Sequence, residues 1–131
     1  MYLLDTDTII YCLKNVLTTV KQFRVHANDP KVISVITYGE LYYGAWKSKY
    51  REKNLAQLQR IAELFQIIEI SKGVTETFGF LRASLELQGN KVADLDLLIG
   101  STALVMNYTL VTNNKKHFSK IPGLKLANWF D

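Results

Sequence analysis

The sequence has one cysteine and two histidines among its 131 residues. A lone thiol, Cys12, excludes an internal disulfide and is typical of a protein kept in a reducing cytoplasm. His26 and His117 lie far apart in the chain and have no cysteine partners, which argues against a zinc site. Because Cys12 falls in an apolar helical pattern, we expect it to pack in the core.

Long hydrophobic runs are also missing. No apolar segment approaches the roughly 18 residues that a membrane-spanning helix requires. The amino terminus lacks the basic stretch that opens a signal peptide, and the chain has no proline- or serine-rich linker, repeat or low-complexity tract. These absences predict a cytoplasmic protein without a membrane partner, in which residues 1–131 form one domain.

The remaining composition is that of an ordinary globular protein, with 48% hydrophobic and 21% charged residues. The net charge of +4 hints at a polyanionic partner. That hint gains weight if acidic residues form a tight site within a basic surface, since metal-dependent nucleases need this combination.

Short apolar segments alternate with helical patterns along the chain. Strands are predicted over residues 2–4, 32–35, 67–70 and 109–112, with a short fifth strand over 124–126. Helices are predicted from residue 8 to a break at Asn15, then over 16–27, 37–49, 52–65, 74–87 and 94–106, with a single turn at 115–118. The alternation indicates an α/β fold with a mostly parallel sheet of four to five strands.

Polar residues follow the predicted strands. Right-handed crossovers bring the carboxyl ends of parallel strands to one edge, where ligand sites gather. Asp5 directly follows the first strand, and Asn113-Asn114 ends the fourth. Thr6 or Asp7 suits the cap of the first helix, for which Asp5 lies too early. Since burying an unpaired carboxylate is costly, Asp5 is expected to face a cleft, a cation or both.

Glu40 follows the second strand and has two interpretations. With Thr37 it fits a capping box, in which its side chain would bond back to the Thr37 amide. Alternatively it faces the cleft, because Gly44 one turn later leaves space beside its carboxylate and Ser34 can cap the same turn. The residues leave both interpretations open.

Asp94 and Asp96 open the most apolar helix, where the helix dipole favours carboxylates. The two positions differ by about 200° around a helix axis, so they cannot both face the cleft. We assign Asp94 to the helix cap and Asp96 to the chemistry, since Gly100 removes bulk on the Asp96 face.

Three carboxylates from distant segments, Asp5, Glu40 and Asp96, are thus predicted to converge as the catalytic group. Oxygen ligands suit Mg²⁺ or Mn²⁺, and Asp5 and Asp96 are the expected direct ligands. Glu40 would bind through water or accept the proton of the nucleophile. Hydrogen bonds to the phosphate or to a ligating carboxylate are assigned to Thr6, Thr112 and Asn114.

In these residues the chain resembles the PIN-domain ribonucleases of the VapC toxin type. The matching segments are 4–9, 34–41, 96–100 with Ala103-Leu104, 110–114 with His117-Phe118, 121–124 and Trp129, which cover nearly the whole chain in order. The resemblance implies a three-layer α/β/α sandwich and a Mg²⁺-dependent endoribonuclease, with Mn²⁺ able to substitute, acting on RNA such as tRNA or ribosomal RNA. It also implies a homodimer inhibited by a VapB-like antitoxin protein, and it carries Asp5, Glu40 and Asp96 over as the acidic site.

Two alternatives remain beside this hypothesis. One is a PIN-like domain that binds RNA or protein without cleaving. The other is a haloacid-dehalogenase-type phosphatase, because Asp5-Thr6-Asp7-Thr8 resembles the opening motif of those enzymes. They also need a late acidic pair, however, where this chain has Asn113-Asn114. Members of the PIN family often have an acid where Asn114 stands, so the number of metal ions stays open, as does a role for Asp7 or Asp94.

Basic and aromatic residues supply the rest of the expected surface. A nucleic-acid track is assigned to Lys14, Lys47, Lys49, Arg51, Lys115 and Lys116, whose phosphate contacts would add electrostatically. Tyr38, Tyr42 and Trp46 are spaced by four and form one stripe, which we interpret as core or protein interface rather than as a base-stacking platform.

Overall fold

The computed structural model describes residues 1–131 and contains a five-stranded sheet with seven helices. The strands are β1 (Tyr2–Leu4), β2 (Lys31–Ser34), β3 (Gln66–Ile68), β4 (Thr109–Val111) and β5 (Leu126–Ala127). The helices are α1 (Thr6–Leu13), α2 (Leu17–Val25), α3 (Val35–Lys47), α4 (Arg51–Leu64), α5 (Lys72–Leu87), α6 (Asp94–Met106) and α7 (Lys115–Phe118). All strands are parallel, in the order β3-β2-β1-β4-β5.

The central strand β1 places successive residues on opposite faces of the sheet, as a strand must. Leu3 belongs to a hydrophobic cluster with residues of α5, α6 and α7, whereas Leu4 belongs to a second cluster with residues of α1, α3 and α4. Both leucines are fully buried. The two clusters lie on either side of the sheet, which confirms the three-layer α/β/α sandwich.

β2 passes directly into α3, which begins at Val35, although the sequence pattern extended the strand to Val35 and began the helix at Thr37. Ser34 causes the difference, because its hydroxyl accepts a hydrogen bond of 3.0 Å from the Ile36 amide and caps the helix. Thr37 and Glu40 both lie inside the helix. The capping-box interpretation of this pair is therefore wrong.

The two edge strands are shifted relative to their predicted positions. β3 ends at Ile68 because this residue pairs with Ser34, the last residue of β2, so residues 69–70 have no neighbouring strand. β5 covers Leu126–Ala127 instead of 124–126, because these two residues pair with β4. Leu124 packs against the hydrophobic core instead.

Helix ends follow local capping. α5 begins two residues earlier than predicted, because the Ser71 hydroxyl accepts a hydrogen bond of 3.2 Å from the Val74 amide. α6 ends at Met106 as predicted, and Asn107 follows it in a left-handed conformation with φ of 57°. Gly89, with φ of 72°, lies just beyond α5, where such a conformation favours glycine.

Cys12 is half-buried on α1, so it is less enclosed than its apolar surroundings in the sequence predicted. Desolvation raises the pKa of its thiol. None of the helices combines the length and the apolar content needed to cross a membrane.

Candidate active site

Asp5 is the first residue after β1 and lies at the carboxyl edge of the sheet, with only 6% of its surface exposed. One carboxylate oxygen accepts a hydrogen bond of 2.8 Å from the Thr6 amide, and the other accepts one of 2.8 Å from the Thr112 hydroxyl. The bond from Thr6 makes Asp5 itself the cap of α1. The prediction that Thr6 or Asp7 caps this helix is wrong.

The pKa of Asp5 is raised from its ordinary value of 3.8 to about 7. Burial is the largest cause, the negative charge of Asp7 is the next, and the charge of Asp96 adds a smaller increase. The hydrogen bonds from Thr112 and Thr6 act in the opposite direction but do not offset burial. This carboxyl group therefore lies where a positive charge would stabilise its ionised form.

Asp7, whose role the sequence left open, joins the same network from the first turn of α1. One of its oxygens accepts a hydrogen bond of 3.1 Å from the Asn113 amide and lies 3.4 Å from the Thr112 hydroxyl. Burial raises the pKa of Asp7 as well. Asp5 and Asp7 thus meet across Thr112, at the point where β1 and β4 end side by side.

Glu40 reaches the site from the second turn of α3. Its carboxylate accepts a hydrogen bond of 2.7 Å from the Thr6 hydroxyl, which also lies 3.3 Å from the hydroxyl of Thr37. Gly44 follows one helical turn later, and a Cβ atom at this position would have no neighbour within 4 Å. The open space beside Glu40 agrees with the cleft-facing interpretation.

Asp96 lies in the first turn of α6, and its side chain is 29% exposed. The Nε2 atom of His117, on α7, lies 3.2 Å from its Oδ2 atom. This nitrogen is buried and makes no well-aligned hydrogen bond to any protein atom, so the contact is close but not directed. The sequence analysis did not assign His117 to the site, although His117 belongs to a segment that matches the PIN-family pattern.

The sequence predicts that Asp94 caps α6, but in the structure it does not. Ala93 occupies the cap position without a side-chain bond, and Asp94 is the first helical residue. Its carboxylate lies 3.5 Å from the Arg82 guanidinium of α5, and about half of its side chain is exposed. Asp94 lies near Arg82 because α5 and α6 pack directly on each other.

Gly100 has a different role from the one expected. A Cβ atom at this position would lie 2.6 Å from Ile121 Cδ1 and 3.7 Å from Phe118 Cδ1. The missing side chain therefore lets the segment after β4 pack closely on α6, and it does not open space beside Asp96.

Thr112 and Asn114 support the site from the end of β4. Thr112 is fully buried, and its hydroxyl accepts a hydrogen bond of 3.0 Å from the Asn114 amide while donating to Asp5. Asn114 is exposed, and its side chain makes no capping bond to α7. Its amide group is therefore free to meet a ligand.

The donor set consists of oxygen atoms, which fits Mg²⁺ or Mn²⁺ better than Zn²⁺. Asp5, Asp7 and Asp96 interact electrostatically, and Glu40 is joined to them through Thr6. No three histidine, cysteine or acidic side chains already stand in an arrangement that would hold a metal ion. Binding of a metal ion would therefore require these side chains to move.

Two depressions meet at Glu40. A groove of about 450 Å³ runs between α1, α3 and α4, with Leu13, Lys14 and Lys53 among its lining residues. A cleft of about 760 Å³ lies on the other side of Glu40, with Ile36, Tyr43 and Leu95 in its walls. Thr6 opens onto this cleft.

The six predicted phosphate-binding residues are all exposed. Lys47 lies over the Tyr43 ring and Arg51 over the Trp46 ring, at 5.5 and 5.3 Å from the ring centroids. Of the aromatic stripe, Tyr38 and Tyr42 contact each other and pack against the core, whereas 55% of Trp46 is exposed. A role of these residues in RNA binding stays a prediction.

Comparison with known proteins agrees with this architecture. Residues 2–124 match the PIN domain family. The chain is 40% identical over 131 residues to ribonuclease VapC2 of Rickettsia felis, with 98% of each chain covered. It is 33% identical over 129 residues to the tRNA(fMet)-specific endonuclease VapC of Shigella flexneri, with 98% of this chain and 97% of the relative covered.

The fold matches a chain in the crystal structure of VapBC2 from Rickettsia felis bound to a promoter DNA fragment, with a TM-score of 0.91, 38% identity and 98% of each chain covered. Fold and matches together define a ribonuclease of the three-layer α/β/α class. The chain belongs to the PIN domain family, among the VapC ribonucleases. Nucleases of this kind generally depend on a divalent metal ion.

Proposed function

We propose that the protein hydrolyses RNA phosphodiester bonds with a Mg²⁺ ion held by Asp5 and Asp96, and that Mn²⁺ can replace Mg²⁺. The observation that carries the proposal is the burial of Asp5 beside two further carboxylates, which raises its pKa to about 7. When bound, the ion supplies Lewis acidity toward the phosphate and makes a bound water more acidic.

The surrounding residues have separate tasks in the proposed reaction. Glu40 accepts a proton from the attacking water while the new P–O bond forms, and the Thr6 hydroxyl holds Glu40 in place for this step. The P–O bond to the leaving oxygen breaks in the same displacement, and that oxygen takes up a proton from solvent. Thr112 fixes one oxygen of Asp5, and the exposed amide of Asn114 orients the phosphate.

Asp96→Asn and Asp94→Asn form a matched pair that tests the acidic site, since both residues lie in the first turn of α6. We expect Asp5→Asn and Asp96→Asn to abolish cleavage of a single-stranded RNA, whereas Asp94→Asn retains it because this residue faces Arg82. Cleavage should stop in EDTA and return with Mg²⁺. Full activity in EDTA would refute the proposal.

The substrate we propose is a tRNA or a ribosomal RNA. Because the Shigella flexneri relative is named a tRNA(fMet)-specific endonuclease, initiator tRNA is the first RNA to test. Incubation with total RNA, followed by mapping of the new ends, would identify the bond. Unchanged RNA after incubation with Mn²⁺, in protein free of any inhibitor, would favour the non-catalytic alternative.

We further propose that a VapB-like antitoxin inhibits the protein by binding in the groove between α1, α3 and α4. The proposal draws on the related structure of VapBC2 and on the position of Glu40 in the wall of this groove, where an occupant would cover the carboxylate. Leu13→Lys, at an exposed position of the groove wall, should weaken inhibition by the VapB-type partner. If the VapB-type partner inhibits the Leu13→Lys variant as strongly as the unaltered protein, the partner binds outside this groove.

Homodimer formation and a cytoplasmic location belong to the same proposal. RNA is available in the cytoplasm, and the single thiol of Cys12 would stay reduced there. Sedimentation equilibrium of the purified protein measures the oligomeric state, and a monomer at all concentrations would contradict the dimer.

A further inference from the structure

The contact between His117 and Asp96 has no part in the mechanism described above. His117 Nε2 lies 3.2 Å from Asp96 Oδ2, within hydrogen-bonding distance, yet the nitrogen is buried and lacks a directed partner. A buried donor that is left without a hydrogen-bond partner destabilises the folded state. Asp96 Oδ2 lies within hydrogen-bonding distance and is the acceptor available to this nitrogen.

The imidazole is held at this place by the core. Phe118, the next residue, is fully buried, and its ring contacts the ring of His117 edge-on at 5.7 Å between centroids. Gly100 allows Phe118 and Ile121 to pack closely on α6, one turn after Asp96. The position of the His117 ring relative to Asp96 is therefore fixed by packing between α6 and α7.

We propose that His117 is a positioning residue, whose Nε2–H group donates to Asp96 Oδ2 and so leaves Oδ1 directed at the divalent cation. This inference rests on the proposed function, because it assigns Asp96 a metal-binding oxygen. A carboxylate held at one oxygen loses less rotational freedom when the other oxygen binds a cation. Removing a residue that hydrogen-bonds to a metal ligand typically weakens metal affinity by about 10- to 100-fold.

The inference can be tested by the affinity of the protein for Mn²⁺ alone, measured by EPR of the free ion and without RNA. His117→Phe keeps a planar ring but has no donor, and we expect Mn²⁺ affinity to fall by about 10- to 100-fold. His117→Gln places an amide N–H near the position of Nε2 and should recover most of this loss. If phenylalanine is not accommodated, which thermal unfolding would reveal, His117→Ala serves the same purpose.

The other histidine offers a matched control. His26 Nδ1 lies 2.7 Å from Asp29, and its ring contacts the ring of Tyr2, which begins β1 at the opposite end from the carboxyl edge of the sheet. His26→Gln should leave Mn²⁺ affinity unchanged. Pulsed EPR of bound Mn²⁺ provides a second readout, and we expect no directly coordinated imidazole nitrogen.

The outcomes separate this inference from the proposed function. If the unaltered protein binds no Mn²⁺, the metal-dependent function fails and the inference with it. If the unaltered protein binds Mn²⁺ and His117→Phe binds it equally well, only the inference fails. His117→Gln binding as weakly as His117→Phe would exclude a donor role, and a coordinated nitrogen would replace positioning by direct ligation.

Discussion

The Thr6 hydroxyl donates a hydrogen bond of 2.7 Å to the Glu40 carboxylate and so joins the helix after β1 to the helix after β2. Thr6 is also the residue whose amide bonds to Asp5. One residue thus sets the relative placement of two carboxylates that are 35 positions apart in the chain, since Asp5 and Glu40 have no direct hydrogen bond.

Thr6→Val should therefore impair catalysis more than it impairs folding. The variant keeps the amide that bonds to Asp5 but loses the hydroxyl that holds Glu40. We expect a clear fall in kcat for RNA cleavage and a loss of stability of roughly 0.5–1.5 kcal/mol, the usual net value of one hydrogen bond. Thr6→Ser keeps the hydroxyl and should remain active; equal activity of Thr6→Val would show that Glu40 needs no such support.

Asp5→Asn should stabilise the metal-free protein. The pKa of Asp5 in the folded state, about 7, lies above its ordinary value of 3.8, so the folded chain binds more protons than the unfolded chain between these values. Stability therefore falls as the pH rises from about 4 to about 7 and is lowest above that interval. The shift in the pKa of Asp5 corresponds to a loss of about 4 kcal/mol in the free energy of unfolding above pH 7. The asparagine variant, which cannot ionise, would recover part of this loss.

Thermal unfolding in EDTA measures this effect. The Tm of Asp5→Asn should exceed that of the unaltered protein at pH 8, and the difference should shrink toward pH 4. Saturating Mg²⁺ should raise the Tm of the unaltered protein only, because ligand binding to the folded state stabilises it. A variant that is less stable at pH 8 would contradict the assigned burial of Asp5.

Thr112→Val removes a hydroxyl that bonds to Asp5 and to the Asn114 amide and lies 3.4 Å from Asp7. The Asp5 carboxylate loses a hydrogen bond of 2.8 Å and the Asn114 amide loses one of 3.0 Å, in a position that is fully buried. We expect a destabilisation of roughly 1–3 kcal/mol in urea unfolding. Because the Thr112 bond lowers the pKa of Asp5, its loss should shift the pH–rate profile toward higher pH. Thr112→Ser should change neither quantity appreciably.

Ser34→Ala tests the start of α3. Loss of the cap should cost about 1 kcal/mol of stability, and cleavage should fall as well, because Glu40 lies in the second turn of the helix that Ser34 caps. Ser71→Ala removes the corresponding cap of α5, which carries no proposed site residue. It should lower the Tm by a similar amount without slowing cleavage. If both variants cleave RNA at the normal rate, the position of Glu40 does not depend on the Ser34 cap.

Helix starts were the least predictable part of the fold. Ser34, Ser71 and Asp5 each cap a helix and lie three residues before its predicted first residue. For α1 and α3, other residues of the segment were equally suitable by type, namely Thr6 and Thr37. The choice depends on which side chain meets a free amide once the preceding strand or loop is in place, and no local pattern encodes that.

The sequence did not predict the contacts of Asp7 and His117 in the candidate site, for a similar reason. Asp7 bonds to the Asn113 amide, 106 residues further along the chain, and His117 approaches Asp96 only because α7 packs on α6. Spacing in the sequence carries no information on either contact. The roles of Asp5, Glu40 and Asp96 as ligands or base stay predictions until the variants are measured.

The amino-acid sequence by itself determined the parallel α/β architecture and the position of Asp5 at the carboxyl edge of the sheet. Both follow from the alternation of apolar strands with amphipathic helices, which is a local property. Only the tertiary structure decided that Thr6 holds Glu40, that Asp7 and Asp96 raise the pKa of Asp5, and that His117 faces Asp96. These relationships arise where strand ends and helix starts from distant segments pack together, because distance and burial, rather than residue order, set the strength of electrostatic and hydrogen-bonding interactions.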